Sequence, residues 1–133
     1  MFNSVFITLP VENVNRSIDF FTALGFKFNP DFSDEQTCCM VLSESIYVML
    51  GEHKKYLSLI DKPIADSKSS EVILSFGCDS QQQVMEIAGK AIELGARAVN
   101  APEDLGFMFS WGFEDLDGHL WNLIWMNTDE AKG

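Results

Sequence analysis

The sequence has 133 residues, about the length of one ordinary domain and enough to bury a hydrophobic core. Because 47% of its residues are hydrophobic, the chain is not intrinsically disordered. Its formal net charge of -11 leaves no basic surface for nucleic acid and disfavours anionic membranes. It lacks both a membrane-spanning apolar run and the basic N-terminal segment of a signal peptide, which predicts a cytoplasmic protein.

The first half of the chain is predicted to fold as strand, helix and three strands. The apolar, β-branched segment SVFITLPV is typical of a strand. A helix should follow, with Asn13 as its N-cap and Gly25 as its C-terminal stop. Three short strand-like segments come next: FKFNPDF, TCCMVLS and SIYVMLG. Residues 52–70 are polar and are predicted to form a linker that holds one short helical turn.

The second half repeats this order. EVILSFGC reads as a strand, and Ser80 with Gln83 predicts a capping box at the start of the next helix. Three strands follow: RAVNAP, FMFSWGFED and HLWNLIWM. Leu-Gly ends both predicted helices, at Leu24-Gly25 and Leu94-Gly95, which indicates an internal duplication.

The sequence therefore predicts an α+β protein of two βαβββ modules in one domain. The modules should form a curved, mixed, mostly antiparallel sheet, a cup with the helices on its convex face. The concave face would be a natural ligand site. The predicted divisions are residues 1–51 for the first module, 52–70 for the linker, 71–127 for the second module and 128–133 for a tail.

Two segments carry a resemblance to a known family: LPVENVNRSIDFFTALGF near the start and FEDLDGHLWNLIWM near the end. They resemble the glyoxalase / bleomycin-resistance / extradiol-dioxygenase superfamily, also called vicinal oxygen chelate proteins. SIYVML and KPIAD look like a bacterial subset described as predicted lactoylglutathione lyases. The resemblance implies this fold and a homodimer. It does not imply one reaction, because the scaffold hosts several enzymes and also drug-binding proteins.

In metal-dependent members of that superfamily, four side chains, usually His, Gln or Glu, hold a divalent ion that polarises the substrate. By resemblance, the corresponding positions here are Phe6, Met49, Ile73 and Asn122. None of these side chains is a credible ligand for zinc, nickel, manganese or iron. The expected cofactor is therefore none.

Side-chain alternation along the strands extends the set that would line the cup with Asn122. The predicted ligand-binding residues on the strands are Phe6, Thr8, Tyr47, Met49, Ile73, Ser75 and Asn122. Residues 102–108 could border the cup, so Phe107 or Trp111 could stack on a ligand. Asn122 could instead be a polar group hydrogen-bonded to a neighbouring backbone.

The other reactive residues have simpler interpretations. His119 should point away from the cup, and His53 with Glu52 is the one place where a loop could supply a base or ligand. The acidic FEDLDG segment is best explained as turn chemistry. The three cysteines are interpreted as reduced core thiols, because they have no zinc-binding spacing.

Three functional hypotheses follow. The first is binding of a small, largely apolar or aromatic molecule without metal. The second is a metal-dependent lyase or isomerase of the glyoxalase type. The third is an interaction module whose cup is filled by side chains. Partners other than a small molecule and a second copy, such as nucleic acid or a membrane, are not expected.

Overall fold

The computed structural model describes residues 1–127, and the predicted tail at 128–133 lies outside the described residues. The chain divides into two compact units, the first ending at Ala65 and the second beginning at Asp66. This boundary lies inside the segment predicted as a linker. No helix in the described range is long and apolar enough to cross a membrane.

The first unit contains one mixed sheet with the strand order β1-β4-β3-β2. Strands β1 and β4 are parallel, and the other neighbours are antiparallel. A short 3₁₀ helix at Pro30–Phe32 lies between β2 and β3. The elements are β1 (Val5–Val11), α1 (Val14–Ala23), β2 (Lys27–Phe28), β3 (Thr37–Val41), β4 (Ile46–Glu52) and α2 (His53–Leu57).

Helix α1 begins and ends as its sequence predicts. The Asn13 side chain accepts a hydrogen bond from the Arg16 backbone N–H at 3.0 Å. Gly25 follows the helix with a φ of +97°, a left-handed conformation that favours glycine. Phe20 and Phe21 are buried, so this helix contributes aromatic side chains to the core of the unit.

The second unit repeats the arrangement with the strand order β5-β9-β8-β6, and β7 also pairs with β8. Its first and last strands, β5 and β9, are parallel, as β1 and β4 are in the first unit. The elements are β5 (Leu74–Gly77), α3 (Gln81–Glu93), β6 (Arg97–Ala98), β7 (Glu103–Asp104), β8 (Met108–Glu114) and β9 (Leu120–Met126). The predicted strand RAVNAP is thus shorter, because only Arg97 and Ala98 pair with β8.

The capping box of α3 is confirmed. The Ser80 hydroxyl accepts from the Gln83 backbone N–H at 3.0 Å, and the Gln83 side chain accepts from the Asp79 backbone N–H at 2.7 Å. The α+β class is also confirmed. The first unit has the predicted βαβββ order, and the second has one additional two-residue strand, β7, between β6 and β8. The strands form two mixed sheets, one in each unit.

In each unit one face of the sheet forms the core. Leu9, Val48 and Leu50 are buried in the first unit, and Trp121 and Leu123 in the second. These residues belong to the face that the alternation predicted to pack under the helices. The predicted strand residues of the ligand site, from Phe6 to Asn122 but without Trp111, alternate with them, so the candidate site lies on the other face of the strands.

Candidate ligand-binding site

The side chains of four strands meet on one face of the second sheet. Asn122 on β9 lies opposite Ser75 on β5 and opposite Gly112 on β8. Two residues before Gly112 on β8, Ser110 lies opposite Glu103 on β7. Since directly opposed residues of paired strands share a face, this register alone brings the five positions together.

A depression of about 260 Å³ lies on this face. Its apolar walls are the side chains of Ile73, Val99 and Leu120. The polar side chains that line it are those of Ser75, Asn100, Glu103, Ser110 and Asn122. Within residues 1–127, these five polar side chains form no hydrogen bond or ion pair with the protein, so all of them are available to a ligand or water.

Gly112 keeps the floor of the depression low. A Cβ atom at this position would lie 2.7 Å from the Trp121 carbonyl oxygen and 3.4 Å from Asn122 Oδ1. Any side chain here would therefore displace β9 or the Asn122 amide. The sequence carried a signal for this residue that the prediction did not use, because a glycine inside a strand often marks a close backbone or ligand approach.

A buried carboxylate fixes the turn that leads into β9. Asp115 Oδ1 accepts from the backbone N–H groups of Asp117 and His119 at 2.9 and 3.0 Å, and Oδ2 accepts from Trp121 Nε1 at 2.9 Å. Burial raises the pKa of Asp115, and the nearby His119 and the hydrogen bonds partly oppose that effect. This confirms that the acidic FEDLDG segment is turn chemistry.

The corresponding face of the first sheet carries an aromatic pair. Phe6 stacks on Tyr47 with ring centroids 4.6 Å apart and planes 11° apart, and Phe6 is 58% exposed. Thr8 lies opposite Met49 in the same pair of strands. The Tyr47 hydroxyl donates to the Glu44 carbonyl at 2.8 Å, so it stabilises the local turn.

The Glu52 carboxylate has a structural partner. Its Oε2 accepts a hydrogen bond from the Val14 backbone N–H at 3.0 Å, at the first turn of α1. An anionic group stabilises a helix at this end. His53 begins α2 and is exposed. The segment that could have supplied a base or ligand therefore uses its carboxylate to cap a helix.

Trp111 and Phe107 were predicted to stack on a ligand, but neither residue lines the depression. Trp111 lies opposite Leu123 on β9, on the face away from Asn122, and a Cβ atom at Gly89 of α3 would lie 3.7 Å from its ring. Trp111 therefore packs against α3. Adjacent residues of a strand point to opposite faces, and its neighbour Gly112 lies on the face that carries the depression. Phe107 precedes β8 and is 42% exposed, but it does not line the depression.

The side chains at the superfamily's metal positions do not fit a metal ion. Phe6, Met49 and Ile73 offer no nitrogen or oxygen donor, and Asn122 offers only a neutral amide. In the part of the chain that the structure describes, no group of three or more His, Cys, Asp or Glu side chains could hold a metal ion. The donor set of the metal-dependent members is therefore not reproduced at these positions.

The cysteines are free thiols in the described structure. Cys38 and Cys39 are fully buried on adjacent positions of β3, and Cys78 is partly exposed. Burial raises the pKa of Cys38 to about 12 and also raises the pKa of Cys39 and of Cys78. Thiolates are disfavoured at all three positions. Cys38 and Cys39 are core thiols as predicted, whereas Cys78 is partly exposed and does not belong to the core.

Comparisons with known proteins support the fold. Residues 3–43 match the family described as bleomycin resistance protein-like N-terminal. A hypothetical protein from S. aureus shares 28% identity and a TM-score of 0.78, with 93% of this chain and 94% of that chain covered. Among the curated proteins, none matches this sequence.

Two further solved structures share the fold at lower identity. A glyoxalase/bleomycin resistance protein/dioxygenase family enzyme from Burkholderia phytofirmans PsJN is 13% identical, with a TM-score of 0.76 and coverage of 91% of this chain and 96% of that one. The fosfomycin resistance protein FosX from Listeria monocytogenes is 18% identical, with a TM-score of 0.69 and 98% of each chain covered.

By its fold, the chain is an α+β protein of the glyoxalase type. Residues 3–43 match the bleomycin resistance protein-like N-terminal family, and the fold as a whole is similar to solved structures described as glyoxalase, bleomycin-resistance and dioxygenase proteins. The resemblance inferred from the two sequence segments is thereby confirmed.

Proposed function

We propose that this protein binds a small, largely apolar or aromatic molecule without a metal ion. The observation that carries the proposal is the depression on the second sheet. It combines aliphatic walls with several polar side chains that have no hydrogen-bond partner in the described protein. A few placed polar groups in an apolar cavity are the usual composition of small-molecule sites.

The exposed face of the first sheet supports the same chemistry. The stacked rings of Phe6 and Tyr47 present an aromatic surface that could hold a flat ligand. Thr8 and Met49 continue this face with a hydroxyl and a flexible thioether. We propose these four side chains as the ligand contacts of the first unit.

The metal-dependent alternative, a lyase or isomerase of the glyoxalase type, needs a donor set that these positions do not supply. The remaining alternative is an interaction module that has lost ligand binding. These two and the proposal differ in measurable ways: in metal requirement, and in whether any small molecule binds.

The test is calorimetric titration of EDTA-treated protein with a panel of small aromatic compounds, including indole and naphthalene derivatives. We expect at least one to bind, and Ile73→Asp to abolish that binding, because a carboxylate in the aliphatic wall must lose its hydration. The matched control is Val72→Asp. Val72 is similarly exposed but does not line the depression, so this variant should bind as the wild type does.

The opposite outcomes are equally clear. Binding that appears only after addition of nickel, zinc, manganese or ferrous iron would support the metal-dependent alternative. Complete absence of binding would favour the interaction module. Equal loss in both variants would show that the ligand binds somewhere other than this depression.

A further inference from the structure

We propose that the natural ligand is an organic cation, an amine whose protonated nitrogen pairs with the Glu103 carboxylate. This inference rests on the proposed small-molecule function and names the ligand class for the same depression. It follows from the charge of the residues that line the depression, from the charges around it and from the distance across the strands.

Glu103 carries the one charged side chain among the described residues that line the depression. It lies on β7, opposite Ser110 of β8, and its carboxylate makes no ion pair or hydrogen bond within residues 1–127. A short edge strand thus presents an exposed anionic group at the depression, without a protein partner in the described residues. A ligand ammonium group would supply that partner.

The positive charge closest in the strand register is already engaged. Arg97 of β6 lies opposite Glu114 of β8, and its Nε and Nη2 atoms donate to the two Glu114 carboxylate oxygens at 3.1 and 3.3 Å. An anionic ligand would have to compete with Glu114 for this guanidinium group.

The surrounding charge favours the same choice. Residues 66–127 contain ten Asp and Glu residues and three Lys and Arg residues. Such an excess of negative charge attracts cations and repels anions over roughly 10 Å at ordinary ionic strength. A phosphate, sulfate or carboxylate ligand would meet repulsion both inside the depression and on approach to it.

The distance across the strands sets the size of the ligand. Glu103 on β7 is two strand spacings across and two residues along from Asn122 on β9, which separates the two backbone positions by about 12 Å. An arylalkylamine with one or two rings spans this distance. With the ammonium group at Glu103, the ring would extend over Gly112 towards Asn122 and Ser75, and Ile73 and Leu120 lie beyond them in the register.

The test compares three naphthalene compounds of similar shape by calorimetric titration at low salt: 1-naphthylmethylamine, 1-naphthalenemethanol and 1-naphthoate. We expect the cation to bind about fivefold tighter than the neutral alcohol, as for a partly exposed charge pair, and the anion to bind most weakly. Added salt should weaken the binding of the amine and leave that of the alcohol nearly unchanged.

Two variants that change the net charge equally separate a local contact from the general field. Glu103→Gln should reduce the affinity for the amine to that for the alcohol. The matched control is Asp104→Asn on the same strand. Asp104 does not line the depression, and Asn retains the Oδ1 atom that accepts from the Gly106 backbone N–H.

The outcomes distinguish this inference from the proposed function. If none of the three compounds binds the wild type and the wider aromatic panel also fails, the proposed function itself is wrong. If all three bind equally, or if Glu103→Gln behaves like Asp104→Asn, the cation proposal is overturned and small-molecule binding remains. Tightest binding of the naphthoate would also overturn it.

Discussion

Replacing Asp115 with Asn should destabilise the second unit. The substitution removes the carboxylate charge and hardly changes the volume of the side chain. Asn retains Oδ1, which can still accept from the backbone N–H groups of Asp117 and His119. Its Nδ2 atom replaces the oxygen that now accepts from Trp121 Nε1 at 2.9 Å. The Asn Nδ2 group and the Trp121 Nε1–H group would then be two donors facing each other. Because Trp121 is only 1% exposed, water cannot easily replace the lost acceptor.

The expected cost combines opposing effects. Hydrogen bonds to a charged group contribute about 1.5–3 kcal/mol, and a buried donor left unpaired costs about 1–3 kcal/mol. Removal of a desolvated carboxylate recovers part of this, since burial disfavours the charged form. We expect the free energy of unfolding to fall by about 2 kcal/mol at neutral pH.

The pH dependence has a definite sign. The pKa of Asp115 is raised in the folded protein above its ordinary value of 3.8. Its contribution to stability is therefore fully present below that value and declines as the pH rises through the raised pKa. Because Asn does not titrate, the stability difference between wild type and Asp115→Asn should be larger at about pH 4.5 than at about pH 7.5.

Urea unfolding followed by tryptophan fluorescence measures both effects, with Glu93→Gln as the control for charge on an exposed helical residue. Trp121→Phe and the double variant complete a cycle in which the two sites should couple by about 1–2 kcal/mol. A coupling energy near zero would refute the role assigned to the Asp115–Trp121 hydrogen bond. A stability loss no larger than that of Glu93→Gln would refute it too.

Two further predictions concern close packing. Gly112→Ala should lower the free energy of unfolding by about 2 kcal/mol more than Gly77→Ala does. The new Cβ at residue 112 would lie 2.7 Å from a carbonyl oxygen, whereas nothing lies within 4 Å of a Cβ at residue 77. Equal urea midpoints for the two variants would show that β8 relaxes freely. A thiol reagent at about pH 8 should modify Cys78 first, and should modify the buried Cys38 and Cys39 only after unfolding. Mass spectrometry follows the order of labelling. Rapid labelling of Cys38 in the native protein would contradict this prediction.

Much of the fold could be predicted from the sequence because its signals are local. Asn13 and Ser80 cap their helices through side chains that reach backbone groups three residues away. Alternation in β9 correctly placed Trp121 in the core and Asn122 on the other face. The β6 and β7 region was less predictable, because its two-residue strands depend on pairing with β8 rather than on their own sequence.

The candidate site was predictable only in part. Ile73, Ser75 and Asn122 lie together on one face as strand periodicity predicts, and their role in ligand binding stays a prediction. Trp111 was misplaced, because a run of alternating aromatic residues does not reveal which face it serves. Glu103 and Asn100 were missed, because the segment that carries them reaches the depression through tertiary pairing that no local pattern encodes.

Adjacent positions of β9 divide two tasks between them. Trp121 is held by the core and by the turn, whereas Asn122 has no side-chain partner in the described protein. The direction of residue 122 is therefore set by its neighbour and would survive the loss of its own amide. In such a scaffold, single substitutions on the exposed face can change the groups offered to a ligand without disturbing the core. Placing Glu or His at this position would alter what the surface recognises while the strand stays in register.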